Sequence, residues 1–166
     1  MLSIDGRSGS GKTTLALQVA ERVGAVVIHL DDLYDGWTGL NAGIELVVHD
    51  VLRPAQDADT IEVPRYDWAL GRYAAQRTLH VDQYLIVEGV GAGALAVQPF
   101  VSALVFLDAP ADVRRQRAFT RADEDLAEHW DEWAALEDAY LQEHRPRERA
   151  DFVYEETGAA ADSGSP

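Results

Sequence analysis

The 166-residue chain contains no cysteine. That excludes disulfides and thiolate metal sites, and it is compatible with a reducing cytoplasm, where we expect the protein to reside. Lysine is nearly missing as well: of 14 basic residues, 13 are arginine and one is lysine, Lys12. No apolar run approaches the roughly 20 residues needed to span a bilayer. The N-terminus does not pair a basic segment with a long apolar one, so neither a signal peptide nor a membrane partner is expected. Positive charge is scarce overall, with 29 acidic residues giving a formal net charge of -15. Such a surface repels a phosphate backbone, so general nucleic-acid binding is not expected. Any anionic ligand must therefore meet positive charge that is gathered locally.

What is present reads as one α/β domain. The hydrophobic content of 47% is ordinary for a globular protein, and the length suits a single domain, here residues 1–157, with a small polar tail at 158–166 expected to be disordered. Leu2 to Asp5 reads as a first strand, and Leu15, Val19, Ala20 and Val23 recur at helical spacing after it. Ala25 to Leu30, Tyr84 to Val87 and Ala103 to Leu107 are apolar runs of the buried-strand kind. Ile44, Val48, Val51 and Leu52 mark a helix closed by Pro54, and Thr60 to Val63 a short extended piece. A helix from Pro110 to about Ala122 precedes another carrying Leu126, Trp130, Trp133 and Tyr140 on one face, and Phe152 to Tyr154 is a candidate last strand. Strands alternating with helices predict a mostly parallel sheet.

Gly6-Arg7-Ser8-Gly9-Ser10-Gly11-Lys12-Thr13 matches the Walker A pattern at every defined position. Glycines let the backbone turn tightly and bring its amides against phosphate oxygens. The helix that follows points its positive end at the anion. Lys12 would reach the β- and γ-phosphates, and the Thr13 hydroxyl would ligate Mg²⁺. Gly6, Ser8, Gly9, Ser10, Gly11, Lys12, Thr13 and Thr14 are thus the expected nucleotide-binding set, with ATP and Mg²⁺ as cofactors.

A phosphate cradle does not by itself choose between a kinase, a hydrolase and a switch. The second strand runs into Asp31-Asp32-Leu33-Tyr34, which puts two carboxylates at the sheet edge where ligands bind. One of them could take the proton of an attacking hydroxyl and organise Mg²⁺, or could simply cap a turn. Glu88 follows three apolar strand residues, a position costly for a charge unless a metal or another group partners it. Arg114, Arg117 and Arg121 fall three and four residues apart on one helix face, either as a lid over the triphosphate or as a solvated face. From Ala122 to Glu143 there are nine acids and no Lys or Arg, read as a solvated acidic face.

The segments Ile4 to Ala16, Asp31-Asp32-Leu33-Tyr34, Pro64-Arg65-Tyr66-Asp67-Trp68, Val87-Glu88-Gly89 and, more weakly, Leu107 to Arg114 resemble the uridine kinase family of P-loop kinases. Its relatives include phosphoribulokinases and bacterial pantothenate kinases. The resemblance implies a three-layer P-loop NTPase sandwich, with a mostly parallel five-stranded sheet, helices on both faces and an Arg-rich lid. It further implies a small-molecule kinase that passes a phosphoryl group from ATP to a hydroxyl, with a nucleoside as one candidate acceptor. Asp31 falls on the general base, Lys12, Arg117 and Arg121 on the other catalytic positions, and Thr13, Asp31 and Glu88 on the metal positions. Asp31, Tyr34, Tyr66 and Trp68 fall on the acceptor pocket, though the aromatic pair could also be core. The chain departs from the family where Gly71 replaces a histidine and where Gly36-Trp37-Thr38-Gly39-Leu40-Asn41 replaces a ribose-holding segment. A nucleoside monophosphate kinase, with Arg65, Arg72 and Arg77 facing the acceptor phosphate, and a nucleotide-binding switch with little transferase activity are the alternatives.

Overall fold

A computed structural model describes residues 1–81, 84–121 and 124–156, without the side chains of 121 and 124–126. The expected tail at 158–166 lies outside the described residues. Five parallel strands form the main sheet in the order β2-β5-β1-β6-β7, from β1 (Leu2–Gly6), β2 (Val26–His29), β5 (Leu85–Glu88), β6 (Ala103–Asp108) and β7 (Phe152–Glu155). The helices are α1 (Lys12–Val23), α2 (Leu40–Leu46), α3 (Ala111–Arg121), α4 (Glu124–His144) and the short α5 (Pro146–Arg149). Among the described residues, no helix is long and apolar enough to cross a membrane.

Two apolar cores lie against opposite faces of the sheet, making three layers. Successive residues of β5 go to different cores, as the alternation of a strand requires. Ile86 packs with Ile4, Ala16 and Leu107 on the α1 side, while Val87 packs with Ile28, Leu30, Tyr34, Val51 and Trp133 on the other. Burying each such Ile or Val completely contributes about 1.5–3 kcal/mol. The face of α1 is largely the one its spacing predicts: Leu15, Val19 and Ala20 pack, partly buried, beside the fully buried Ala16, while Val23, in the last turn before Gly24, is 45% exposed.

Residues 40–52 are helical as expected, but the second half, Val47–Leu52, widens into a π-type turn that brings Val47, Val48, Val51 and Leu52 inward before Pro54 stops it. The extended piece at 60–63 is longer than the sequence suggests. It is strand β3 (Thr60–Asp67), paired antiparallel with β4 (Arg72–His80) in a separate two-stranded ribbon. Eight of the nine β4 residues are exposed, so no apolar alternation announces this strand. Its turn is built by Gly71 at φ 62° and by the Asp67 carboxylate accepting from the Leu70 amide at 2.9 Å.

Candidate active site

The carboxyl ends of β1, β2 and β5 bring three loops together at one edge of the sheet. The loop after β1 is the glycine-rich cradle. Gly6, Gly9 and Gly11 hold φ of 144°, 78° and 98°, a region that disfavours other residues. Space forbids a side chain too: a Cβ on Gly9 would lie 2.2 Å from the Arg114 carbonyl oxygen, and one on Gly6 2.1 Å from that of Leu107. Gly11 precedes α1 with no side-chain cap, and no acid occupies the first turn, so the helix amides face an uncapped end. The buried Ser10 hydroxyl has no hydrogen-bond partner among the described residues. Lys12 is buried, with its ammonium donating to the Arg7 carbonyl at 3.0 Å. Unspent donors around one buried ammonium suit a polyphosphate.

At the end of β5, Glu88 is buried and doubly held. It accepts from the Thr13 hydroxyl at 3.1 Å and meets His29 Nδ1 at 2.6 Å. The parallel register pairs His29 with Glu88 directly, which places the two side chains within reach. The Glu88 hydrogen bond, outweighing burial, raises the His29 pKa. A hydroxyl beside a carboxylate is an oxygen pair that suits Mg²⁺. Among the described residues, no cluster of three or more Asp, Glu, His or Cys could hold a metal by itself. Thr13 and Glu88 would thus share the ion with phosphate oxygens and water.

Asp31 lies in a single 3-10 turn, Leu30–Asp32, that continues β2. It stays exposed to solvent at the mouth of the site, with Lys12, Glu88, His29 and Asp32 close enough to act on its charge. Crowding by the surrounding protein raises its pKa to about 6, with Lys12 pulling it down, Glu88 pushing it up, and His29 and Asp32 adding smaller opposing effects. Three bonds tie this turn to the β3–β4 ribbon: the Trp68 indole N–H to the Asp31 carbonyl at 3.0 Å, Arg65 Nε to Asp32 at 3.2 Å, and the Tyr73 hydroxyl to the Leu33 carbonyl at 2.7 Å.

Beside Asp31 stands an aromatic wall. Trp68 packs on Trp37 at 4.8 Å between centroids and edge-on to Tyr66 at 5.4 Å, and Trp37 stacks on His129. Tyr66 is buried and Trp68 is 40% exposed. Tyr34 does not line this wall. It is 1% exposed, packs on Trp133 and donates its hydroxyl proton to the Val90 carbonyl at 2.6 Å, so it forms part of the floor, buried away from any acceptor.

Among the described side chains, the α3 arginines Arg114, Arg115 and Arg117 are engaged with protein. Arg117 is paired with Glu156 at 2.7 Å, just past β7, and Arg115 lies over Phe119. Arg114, expected on the same lid or solvated face as Arg117 and Arg121, instead donates to the Ala109 carbonyl at 3.0 Å and to that of Ser8 in the cradle at 3.3 Å. Arg121 ends α3, and its side chain lies outside the described residues. Nor is all of the acidic stretch solvated. Glu137 is 1% exposed and accepts from the Ser8 amide at 2.8 Å.

Asp5 is likewise buried at the end of β1. It accepts from the Gly6 and Gly93 amides at 2.6 and 2.7 Å and from the Tyr140 hydroxyl. Burial raises its pKa against those three bonds. The sequence reading missed His29, Trp37, Tyr73, Glu137 and Asp5. Glu137 alone carried a usable signal, since it falls four residues after Trp133 and three before Tyr140, on the apolar stripe of α4.

A glycine cradle opening a helix, at the carboxyl edge of a parallel five-stranded sheet, defines a P-loop nucleotide-binding protein. No protein-family model matches the chain. It is 28% identical over 162 residues to the uridine kinase of Halobacterium salinarum, an alignment covering 87% of this chain and 71% of the relative. Cytidylate kinase of Pseudomonas aeruginosa is 31% identical over 126 residues, 74% of this chain, and the chain spans about half (52%) of that relative. Among solved structures, a possible uridine kinase from Bacillus stearothermophilus superposes with a TM-score of 0.68 at 27% identity, covering 92% of this chain and 86% of the other. Shikimate kinase of Acinetobacter baumannii, with a TM-score of 0.53 at 18% identity, shares the fold. Fold, cradle and these similarities together support a uridine kinase-like P-loop protein of the small-molecule kinase kind, with ATP-dependent phosphoryl transfer as its general chemistry.

Proposed function

We propose that this chain phosphorylates a hydroxyl of a small metabolite at the expense of MgATP, with a nucleoside as the first acceptor to test. The observation that carries the reading is the placement of Asp31. One carboxylate with a raised pKa stands beside the cradle, at the foot of an aromatic wall, within the electrostatic reach of Lys12 and Glu88. Asp31 takes the proton of the attacking hydroxyl. Lys12 and the cradle amides hold the polyphosphate and offset charge on the moving group. Thr13 and Glu88 hold Mg²⁺, which neutralises phosphate charge. Tyr66 and Trp68 orient the acceptor, and Arg117 and Arg121 remain the candidates for a closing cation. Little covalent work falls to the protein, so positioning and electrostatics carry the rate.

A nucleoside monophosphate acceptor is the second reading, favoured by the similarity to cytidylate kinases. It needs arginines free to meet a second phosphate. Arg65 is instead bound to Asp32, while Arg72 and Arg77 are exposed on β4. ADP release from MgATP should be measured against a panel of nucleosides, their monophosphates and other hydroxyl metabolites. Stimulation by an uncharged hydroxyl compound supports the first reading. Stimulation by monophosphates alone supports the second, and slow turnover that no acceptor raises contradicts both.

A further inference from the structure

The cradle is gripped from outside by α4. The Glu137 carboxylate, buried in a helix otherwise rich in exposed acids, accepts from the backbone amide of Ser8 at 2.8 Å and from the Trp133 indole N–H at 3.0 Å. The same indole N–H reaches the Ser8 hydroxyl at 3.0 Å. Arg7, the neighbouring cradle residue, is paired with Glu137 at 3.7 Å and with Asp138. One amide of the phosphate loop is therefore committed to a side chain contributed from 129 residues away. A buried carboxylate needs such partners, since removal from water is costly without them. The cradle gains a fixed peptide in return. Holding one peptide plane of a glycine-rich loop limits how the next amides can turn, and glycine loses more freedom on ordering than any other residue.

Trp133 also meets the opposite half of the site. Its ring packs on Tyr34 at 5.0 Å and edge-on to Trp37 at 6.3 Å, and Trp37 in turn packs on Trp68. One residue thus touches both the phosphate loop and the wall beside Asp31.

We propose that Glu137 is a positioning residue for the phosphate loop, orienting the Ser8 peptide so that the remaining amides are preset for a polyphosphate, with Trp133 holding Glu137 in place. The inference rests on the nucleotide-binding reading of the cradle. Calorimetric titration of MgADP into wild type, Glu137→Ala, Glu137→Gln and Trp133→Phe tests it, with melting curves confirming that each variant is folded. Loss of the charged acceptor in Glu137→Ala weakens MgADP binding by about tenfold or more. Glu137→Gln keeps an oxygen for the Ser8 amide and recovers affinity to within about threefold of wild type. Trp133→Phe keeps an aromatic ring, though a smaller one, loses the indole N–H and weakens binding by about threefold.

A residue that merely stabilises the fold would lower the melting temperature and leave the affinity of the folded protein unchanged. That result in Glu137→Ala overturns the inference while leaving nucleotide binding intact, as does Glu137→Gln binding as weakly as Glu137→Ala. Should Glu137→Ala not fold, Trp133→Phe decides, and wild-type affinity in that variant overturns the proposal. A wild-type protein that does not bind MgADP removes the nucleotide reading itself, and this inference with it.

Discussion

The two halves of the site are built in different ways. The half proposed for the phosphates comes from eight consecutive residues whose backbone would do most of the binding, and it needs glycine where a Cβ would strike Arg114 or Leu107. The half proposed for the acceptor comes from side chains brought in by the turn after β2, the β3–β4 ribbon and α4, with Trp37, Tyr66, Trp68 and Trp133 meeting across long sequence separations. The first is local and rigid in its requirements. The second is a set of contacts that can be exchanged one by one while the fold persists. A family can therefore keep its phosphate chemistry and change its acceptor.

That contrast can be broken by mutation. The largest effect is expected from Gly9→Ala, in which the new methyl meets the Arg114 carbonyl and the backbone sits in the left-handed region. Nucleotide affinity, measured by titration, should be lost altogether, whereas retained binding would show that the cradle is less constrained than its geometry implies. Asp31→Asn comes next. Removing a general base costs about 10²–10⁴-fold in kcat, and MgATP binding should be preserved, so that kcat falls while KM for ATP changes little. An unaltered kcat assigns the base elsewhere, with Asp32 the first alternative.

Glu88→Gln should raise the Mg²⁺ concentration for half-maximal activity by about 10–100-fold, the range seen when groups around a metal are altered. An unchanged Mg²⁺ dependence would confine Glu88 to bonding Thr13 and His29. Trp68→Ala should cost about tenfold in kcat/KM for the acceptor, through misplacement of Asp31 and of the wall, and leave nucleotide affinity intact. If nucleotide affinity falls equally, the two halves are not separable. The smallest effect distinguishes two roles for Arg117. If it only fastens Glu156, Arg117→Gln shifts the melting temperature slightly and leaves kcat alone, and if it closes over the phosphates, kcat falls.

What the sequence made legible follows the same division. The cradle, the strand-end carboxylates Asp31 and Glu88, the parallel sheet and the order of its elements could be read because each depends on local spacing or a buried apolar run. The β4 strand could not, since an exposed ribbon leaves no alternation to detect. His29 was hidden because its importance comes from register: only the parallel pairing of β2 with β5 sets it against Glu88. Tyr34 lies in the floor and not toward the acceptor, and local sequence does not reveal that its hydroxyl is spent on Val90. Glu137 was averaged into an acidic helix although its position on the apolar stripe set it apart.

Calorimetric titration of MgATP into wild type and Lys12→Ala decides whether the cradle grips a polyphosphate, because Lys12 is the sole lysine of the chain and lies buried there. Saturable one-to-one binding by the wild type is expected, with affinity at least about 100-fold weaker in the variant. Equal affinity in the two proteins, or no binding by either, would rule out a phosphate site at Gly6–Thr13.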